Sequence, residues 1–288
     1  MTTLSTRADP PMSDGDFRII STALREATGI ALPDGKRPLV VSRLARRLRS
    51  LKLRDFTEYS ALISRPDGAD ELGQMISALT TNVTAFFRES HHFDTLRDQV
   101  LPPLLETCRK GGKLRLWSAA CSSGEEPFSM AISLLELCPE AARHDIRILA
   151  TDIDPAILET ARAGRYAAES LANVPSPLRD RYFKRESEAR GQFYRISPDV
   201  ARLVSFKPLN LTGQWPIKSK FDAIFCRNVA IYFDRLVQER LWARLAAQLT
   251  PNGVLFIGHS ERVSGPAAAQ LRQKGITSYY RQNVETAE

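Results

Sequence analysis

The sequence predicts an α/β chain: a mostly parallel sheet with an inserted small antiparallel β-element, preceded by an all-helical N-terminal domain. Three observations carry this. After about residue 110, short apolar runs alternate with helical patterns of about 10–15 residues, the signature of βαβ units. Between the second and third strands lie about fifty residues with one short helix, too long for a structureless loop in a compact domain, so 165–200 reads as an insertion, with GQFYRIS as a strand inside it. The first ninety or so residues carry helical periodicity and turn signals but no alternating strand pattern.

Taken in order, residues 1–13 read as a disordered tail, 14–90 as the helical domain and 91–288 as the α/β domain. Asp14 is the expected cap of a helix over about 16–28, which Gly29 ends. IALPDGKRP is a break, and a basic helix follows within 36–54. Val40, Leu44, Leu48 and Leu51 form its apolar stripe. Asp55 caps the helix DFTEYSALIS, RPDGAD is a loop, and 70–80 is again helical. In the second domain KLRLWSAA, IRILATD, ARLVSFKPLNL, FDAIFCRNV and VLFIGHS are the five strands in order, and ITSYYRQ is a final one. Helices run from Pro127, with Phe128, Ala131, Ile132 and Leu135 on one face, through PAILETARAG, and through RLVQERLWARLAAQL, which the turn TPNG ends.

The 288 residues are 43% apolar and 25% charged, which argues against a disordered or disulfide-scaffold chain. No apolar run is long enough for a membrane span, and no signal-peptide pattern opens the chain. Cys108, Cys121, Cys138 and Cys226 form no C-x-x-C pair, which argues against zinc and fits a reducing, cytoplasmic setting. The net charge of +7 is local: residues 36–54 hold eight Lys/Arg and no Asp/Glu, leaving −1 for the rest. An arginine face on one helix suits nucleic acid, an acidic membrane or an acidic protein helix; the alternative is a solvated face with no role.

In open α/β sheets ligands bind at the carboxyl ends of the strands. After strand one comes ACSSGEEP, which is not G-x-G-x-x-G and is poorly suited to a phosphate. Glu125 and Glu126 favour a cationic ligand group, or simply complement the helix dipole. Strand two ends in TDIDP; Asp152 is placed to accept ribose hydroxyls, and Asp154 reads as a helix cap. A ribose-binding acid without a phosphate loop suggests a nucleoside ligand without phosphate, and the sulfonium and amino groups of S-adenosylmethionine would suit the acidic loop. Arg227-Asn228 closes strand four, with Tyr232 four residues on, either functional or a packed core tyrosine. Cys226 reads as a buried inert thiol. His91 and His92 diverge on a helix, His259 reads as packing or surface, and no metal is expected.

The segments TTNVTAFFRE, WSAACSSGEEP, ATDID and FDAIFCRNVAIYFD, in this order, resemble the chemotaxis receptor methyltransferases, protein-glutamate O-methyltransferases of the bacterial chemotaxis pathway. The likeness runs from about residue 15 to 282. It implies a Rossmann-like S-adenosylmethionine-dependent methyltransferase sheet with an inserted antiparallel β-subdomain behind a helical domain. It further implies cofactor contacts at Asn82, Thr84, Arg88, Glu126, Asp152, Asn210, Leu211, Arg227 and Asn228, with Arg88 and Tyr232 nearest methyl transfer, and S-adenosylhomocysteine as product. Chemoreceptor cytoplasmic helices are the implied partner, docked on Arg43, Arg46, Arg47 and Arg49. A monomer suffices, without nucleic acid or membrane insertion. Some members grip a receptor-tail pentapeptide with a Gly-x-Gly loop; RESEARGQF offers only Gly191, which favours direct recognition.

The implied reaction is an in-line displacement by a receptor glutamate oxygen. A free glutamate, with a pKa of about 4.3, is already anionic at neutral pH and needs no general base. A nucleic-acid methyltransferase is the first rival, allowed by the pI near 9.4. Against it, CRNV lacks the Pro-flanked aromatic pattern of amino-methylating enzymes, and Cys226 lacks the preceding Pro of cytosine methylators. A non-catalytic S-adenosylmethionine-sensing module is the second.

Overall fold

The computed structural model describes residues 10–188 and 191–282. The chain divides into two compact units: Met1–Thr81 with Tyr232–Asp234, and Asn82–Ile231 with Arg235–Glu288. Residues 1–9 of the expected disordered tail lie outside the described residues. Its last part is ordered: Met12 is buried in the helical core.

The first unit contains helices α1 (Asp14–Thr28), α2 (Arg37–Leu51), α3 (Phe56–Ile63) and α4 (Ala69–Leu79). The cap of α1 is Ser13, not Asp14: the Ser13 hydroxyl oxygen accepts from the Asp16 N–H at 3.1 Å. Asp14 instead lies in the first turn, where its charge favours the helix dipole. Gly29 ends α1 in the left-handed conformation, φ 80°. Asp55 caps α3 as expected, accepting from the Glu58 N–H at 3.0 Å. Val40, Leu44 and Leu48 pack with Phe17, Ile20, Leu24, Phe56, Tyr59 and Met75. Leu51 departs from the expected stripe and is 37% exposed, because α2 ends there and Lys52 turns left-handed, φ 58°. The segment Tyr232–Asp234 joins this unit through three contacts. The Ala31 N–H donates to the Tyr232 carbonyl at 2.9 Å, Phe233 bridges Ile30, and Asp234 pairs with Arg25 at 2.6 Å.

The second unit begins with α5 (His91–Thr95), which passes through a π-turn (Leu96–Val100) into α6 (Leu101–Arg109). Then follow β1 (Lys113–Ala119), α7 (Glu125–Leu137), β2 (Asp145–Asp152), α8 (Pro155–Ala163), β3 (Arg165–Ala167), α9 (Ser176–Tyr182), β4 (Phe183–Glu188), β5 (Gly191–Ile196), α10 (Pro198–Ala201) and β6 (Val204–Pro208). The unit closes with β7 (Phe221–Cys226), α11 (Arg235–Gln248), β8 (Leu249–Ile257), β9 (Leu271–Gln273) and β10 (Ser278–Arg281). The main sheet has the order β6-β2-β1-β7-β8-β10-β9. It is parallel from β6 to β8 and antiparallel at β10 and β9. A second sheet, β3-β5-β4, is antiparallel and lies in the predicted insertion. The predicted fold class is borne out.

Three local expectations are corrected. Helix α7 starts at Glu125, ahead of Pro127, and everything from Glu125 to Leu135 is buried, not one face. The turn TPNG lies inside β8, where Asn252 at φ 65° and Gly253 accompany a register shift against β7. Strand three is shorter than ARLVSFKPLNL, since Ala201 belongs to α10. Strand β4 carries no apolar alternation, which hides it in the sequence. Its Glu186 pairs with Arg195 at 2.6 Å and with Arg165 at 3.1 Å, and Arg165 stacks on Phe193 at 3.6 Å.

Candidate active site

The chain lays down β1, β2 and β6 towards one edge, then returns to the other side of β1 with β7 and β8. Strand order therefore reverses between β1 and β7, which places a crevice at their carboxyl ends. Five non-glycine residues in the loops there have positive φ: Phe87 (53°), Glu89 (56°), Ala120 (66°), Ser122 (50°) and Asn228 (56°). Such backbone is costly and concentrates where a site needs it.

The loop after β1 is wound tightly. Gly124 has φ 96°, and a Cβ there would stand 3.0 Å from Ala161 Cβ and 3.1 Å from the Tyr166 hydroxyl, so any side chain would be both strained and crowded. The Ser122 N–H donates to Asp152 Oδ2 at 2.8 Å, and the Asp154 N–H to Asp152 Oδ1 at 3.0 Å. These bonds fix Asp152 at the end of β2, and its carboxylate keeps acceptor capacity for a hydroxyl donor. Burial pushes its pKa up against the pull of the backbone donors. Asp154 caps α8, accepting from the Ala156 N–H at 2.9 Å. Glu125 accepts from the Ser123 hydroxyl at 2.6 Å, and burial raises its pKa.

Arg227, at the end of β7, is the electrostatic centre. Its side chain is 2% exposed, 3.0 Å from Glu126 Oε2 and 3.3 Å from Glu89 Oε2, and it donates to the Arg88 carbonyl. Glu126 also accepts from the Ser118 hydroxyl at 2.7 Å. Burial pushes the Glu126 pKa up, opposed by Arg227 and Ser118. Burial pushes Glu89 up as well, but His259, the Arg227 charge and Asn228 outweigh it and hold Glu89 at about 2. His259 Nδ1 lies 3.0 Å and Asn228 Nδ2 3.3 Å from Glu89 Oε1.

Glu89, His91 and His92 hold their ligand-type atoms within 4.8 Å of one another. Arg227 already supplies positive charge at the same Glu89 oxygen and opposes a second cation there. His92 is fully buried, with Nε2 2.8 Å from the Thr277 hydroxyl. Burial, then Arg227 and His91, lower its pKa to about 3, so it is neutral.

The segment carrying Asn82, Thr84 and Arg88 is stitched to this crevice. The Ser122 hydroxyl donates to the Asn82 carbonyl at 3.2 Å, and the Phe87 N–H to Ser129 Oγ at 3.0 Å. The Arg88 guanidinium donates to the Val83 carbonyl at 2.8 Å, closing the segment on itself. Phe86 anchors it, edge-on to Tyr166 and Phe183 with ring centroids at 4.9 and 5.2 Å. Asn210 and Leu211 follow β6, tied to β2 by the Leu209 N–H donating to the Asp152 carbonyl at 2.8 Å. Arg244 holds the Leu211 carbonyl at 2.9 Å and stacks on Trp215 at 3.8 Å.

The structure thus brings Asn82, Thr84, Arg88, Glu126, Asp152, Asn210, Leu211, Arg227 and Asn228 into one unit, on loops at the carboxyl ends of its strands or packed against those loops. Tyr232 groups with the helical unit instead. Arg43 and Arg47, among the expected docking cations, are engaged within the helical unit. Arg43 donates to the Leu79 and Thr80 carbonyls at 2.8 and 3.0 Å, and Arg47 pairs with buried Glu71, which Tyr59 also contacts at 2.8 Å. Arg46 and Arg49 are exposed on α2. Sequence reasoning missed Glu89, Glu261 and the serines Ser118, Ser122 and Ser129. Glu89 sits at the end of the quoted TTNVTAFFRE, and Ser118 and Ser122 inside the quoted WSAACSSGEEP, where they could have been found; Glu261 and Ser129 carry no local signal. Cys226 is fully buried with its thiol pushed up, as expected.

A doubly wound sheet whose crevice offers a fixed carboxylate at the end of β2, an acidic loop after β1 and, among the described residues, no glycine-rich phosphate loop suits a cationic nucleoside. That is the arrangement of an S-adenosylmethionine-dependent methyltransferase. Residues 82–280 match the family described as CheR methyltransferase, SAM binding domain, and residues 15–80 match CheR methyltransferase, all-alpha domain. The chain belongs to the CheR methyltransferase family. It is 50% identical over 252 residues to a probable chemotaxis protein methyltransferase of Rhizobium etli, covering 87% of this chain and 94% of that one. It is 43% identical over 254 residues to the chemotaxis protein methyltransferase of Escherichia coli (88% and 86% covered). It is also 43% identical over 265 residues to chemotaxis protein methyltransferase 2 of Pseudomonas aeruginosa (92% of each). The chain is an S-adenosylmethionine-dependent methyltransferase of chemotaxis. Among the described residues no helix is long and apolar enough to cross a membrane.

Proposed function

We propose that this enzyme methylates glutamate side chains on the cytoplasmic helices of chemoreceptors, acting as a cytoplasmic monomer with no nucleic-acid partner. One observation carries the choice of acceptor: the chain resembles chemotaxis protein methyltransferases over most of its own length and theirs. Cys121 and Cys226 are buried thiols pushed well above their ordinary value, which makes them poor bases for an acceptor that arrives protonated. A carboxylate is the protein acceptor that arrives already deprotonated.

S-adenosylmethionine supplies an electrophilic methyl group on a sulfonium. Asp152 takes the ribose hydroxyls. The Glu125–Glu126 turn lends negative potential toward the cationic end, and Arg227 holds Glu126 and the Arg88 segment in place. Asn210-Leu211 and Asn228 border the nucleoside, and Asn82 and Thr84 line the approach. Arg88 orients the acceptor carboxylate. An over-tight grip would slow transfer, because the carboxylate loses its charge as the ester forms. Tyr232 donates a hydrogen bond near the reacting oxygen. Orientation of this kind supplies on the order of 7–11 kcal/mol.

Receptor helices dock on the exposed arginine face of α2 that includes Arg46, and a receptor-tail pentapeptide is not required. A tail peptide titrated to high micromolar concentration is expected to show no binding; micromolar affinity would overturn that part. The deciding experiment transfers radiolabelled methyl to a receptor cytoplasmic fragment and then applies mild alkali. Volatile methanol supports a carboxyl ester. Alkali-stable label points to an amine or nucleic-acid acceptor, and cofactor binding without incorporation points to a sensing module.

A further inference from the structure

We infer that Glu261 is a positioning residue for the reaction: its carboxylate sets the backbone of residues 228–230, and thereby the Arg227-Asn228 end of β7, in the geometry the crevice requires. Glu261 is 4% exposed and follows β8, 33 positions beyond Asn228. Four backbone N–H groups converge on it. Asn228 and Gly258 donate to Oε2 at 3.0 and 2.6 Å, and Val229 and Ala230 donate to Oε1 at 3.0 and 2.7 Å.

Three successive N–H groups aimed at one point, opened by a left-handed residue, make an anion-binding nest. Such a nest at the mouth of a doubly wound sheet is where a phosphate or an acceptor carboxylate would settle. Here the protein's own carboxylate fills it. The consequence is twofold. The φ of 56° at Asn228 is held before any ligand arrives, and the nest is closed to phosphate-bearing nucleotides. Asn228 Nδ2 is thereby aimed at Glu89 Oε1, 3.3 Å away, and Arg227 at Glu126 and Glu89.

Gly258 supplies an independent handle on the same joint. A Cβ there would lie 2.5 Å from Asn228 Nδ2, 2.8 Å from Asn228 N and 2.9 Å from Glu261 Oε2. The loops after β7 and β8 approach so closely only because position 258 has no side chain.

The inference rests on the cofactor site proposed above, and its test is independent of the acceptor. S-adenosylhomocysteine is titrated calorimetrically into the full-length protein, well below its melting temperature. Hydrogen exchange at residues 228–230 is followed alongside. Glu261→Gln turns one oxygen into a donor facing N–H groups. It is expected to weaken S-adenosylhomocysteine roughly tenfold or more, because the two N–H groups that shared that oxygen lose their acceptor, and to speed exchange at 228–230. Glu261→Asp keeps the charge and is expected to recover part of the affinity. Gly258→Ala, which leaves the carboxylate in place, is expected to reproduce the loss and serves where Glu261→Gln does not fold. Wild-type affinity and turnover in folded Glu261→Gln or Gly258→Ala would overturn the inference. A wild-type protein that binds S-adenosylhomocysteine but forms no methyl ester would sink the acceptor reading and leave this one standing.

Discussion

Arg227 and Glu126 lie 101 positions apart and meet at 3.0 Å, the guanidinium 2% exposed. The pair joins the end of β7 to the first turn of α7 across the reversal in strand order, and the same guanidinium reaches Glu89 and the Arg88 carbonyl. Loss of one partner strands a buried charge, which costs about 3–5 kcal/mol. Arg227→Ala is therefore expected to lower the free energy of urea unfolding by that order. Arg227→Lys is expected to fall between, since one ammonium cannot reproduce the planar fork. An Arg227→Ala protein as stable as wild type would remove the pair from the account.

The buried His92 sets a pH dependence. Its ordinary pKa of 6.5 is lowered to about 3 in the folded protein, by burial first and then by Arg227. Between those values the unfolded chain takes up a proton that the folded chain refuses. The contribution is thus present above about 6.5 and is lost as pH falls toward 3. Glu89 acts in the same direction in a lower window, between its ordinary 4.5 and about 2. His92→Gln is expected to flatten the loss of stability between pH 6.5 and 4.5, where Glu89 contributes little. Parallel urea midpoints for the two proteins across that range would refute it. Comparison with wild type cancels the raised carboxyls of Asp152, Glu125 and Glu126, which act in the opposite direction.

Tyr232→Phe removes a hydroxyl and little volume. The expected outcome is a lower kcat for methyl transfer, with S-adenosylhomocysteine affinity nearly intact. A large loss of affinity would move Tyr232 into the cofactor's binding set.

The arginines of α2 are expected to separate into two classes. Arg46→Glu should raise the receptor KM and weaken its salt dependence, since exposed charges act over a Debye length of about 8 Å. Arg47→Glu should instead destabilise the fold by about 3–5 kcal/mol, because it sets a second acid against the buried Glu71. Receptor kinetics and thermal unfolding on the same variants distinguish the two. Equal effects from Arg46 and Arg47 would cancel the distinction.

Period and punctuation alone made much of this protein legible. The 3.6-residue stripe of Val40, Leu44 and Leu48, the strand-helix alternation after residue 110 and the over-long gap before β6 are local patterns, and they determined the helical unit, the parallel sheet and the inserted β-element. Asp152 and Arg227-Asn228 could be located for the same reason, since topology places functional side chains where apolar strands end. Tertiary structure decided how individual charges are spent. Arg43 and Arg47 look like Arg46 in sequence, yet the first two close on groups about 24 to 37 positions away. Glu261 has no motif to announce it, because its partners are backbone N–H groups contributed by a different loop. A sequence fixes the spacing of side chains along an element. Which buried acid meets which donor depends on long-range packing, and that is settled only when the strands are side by side.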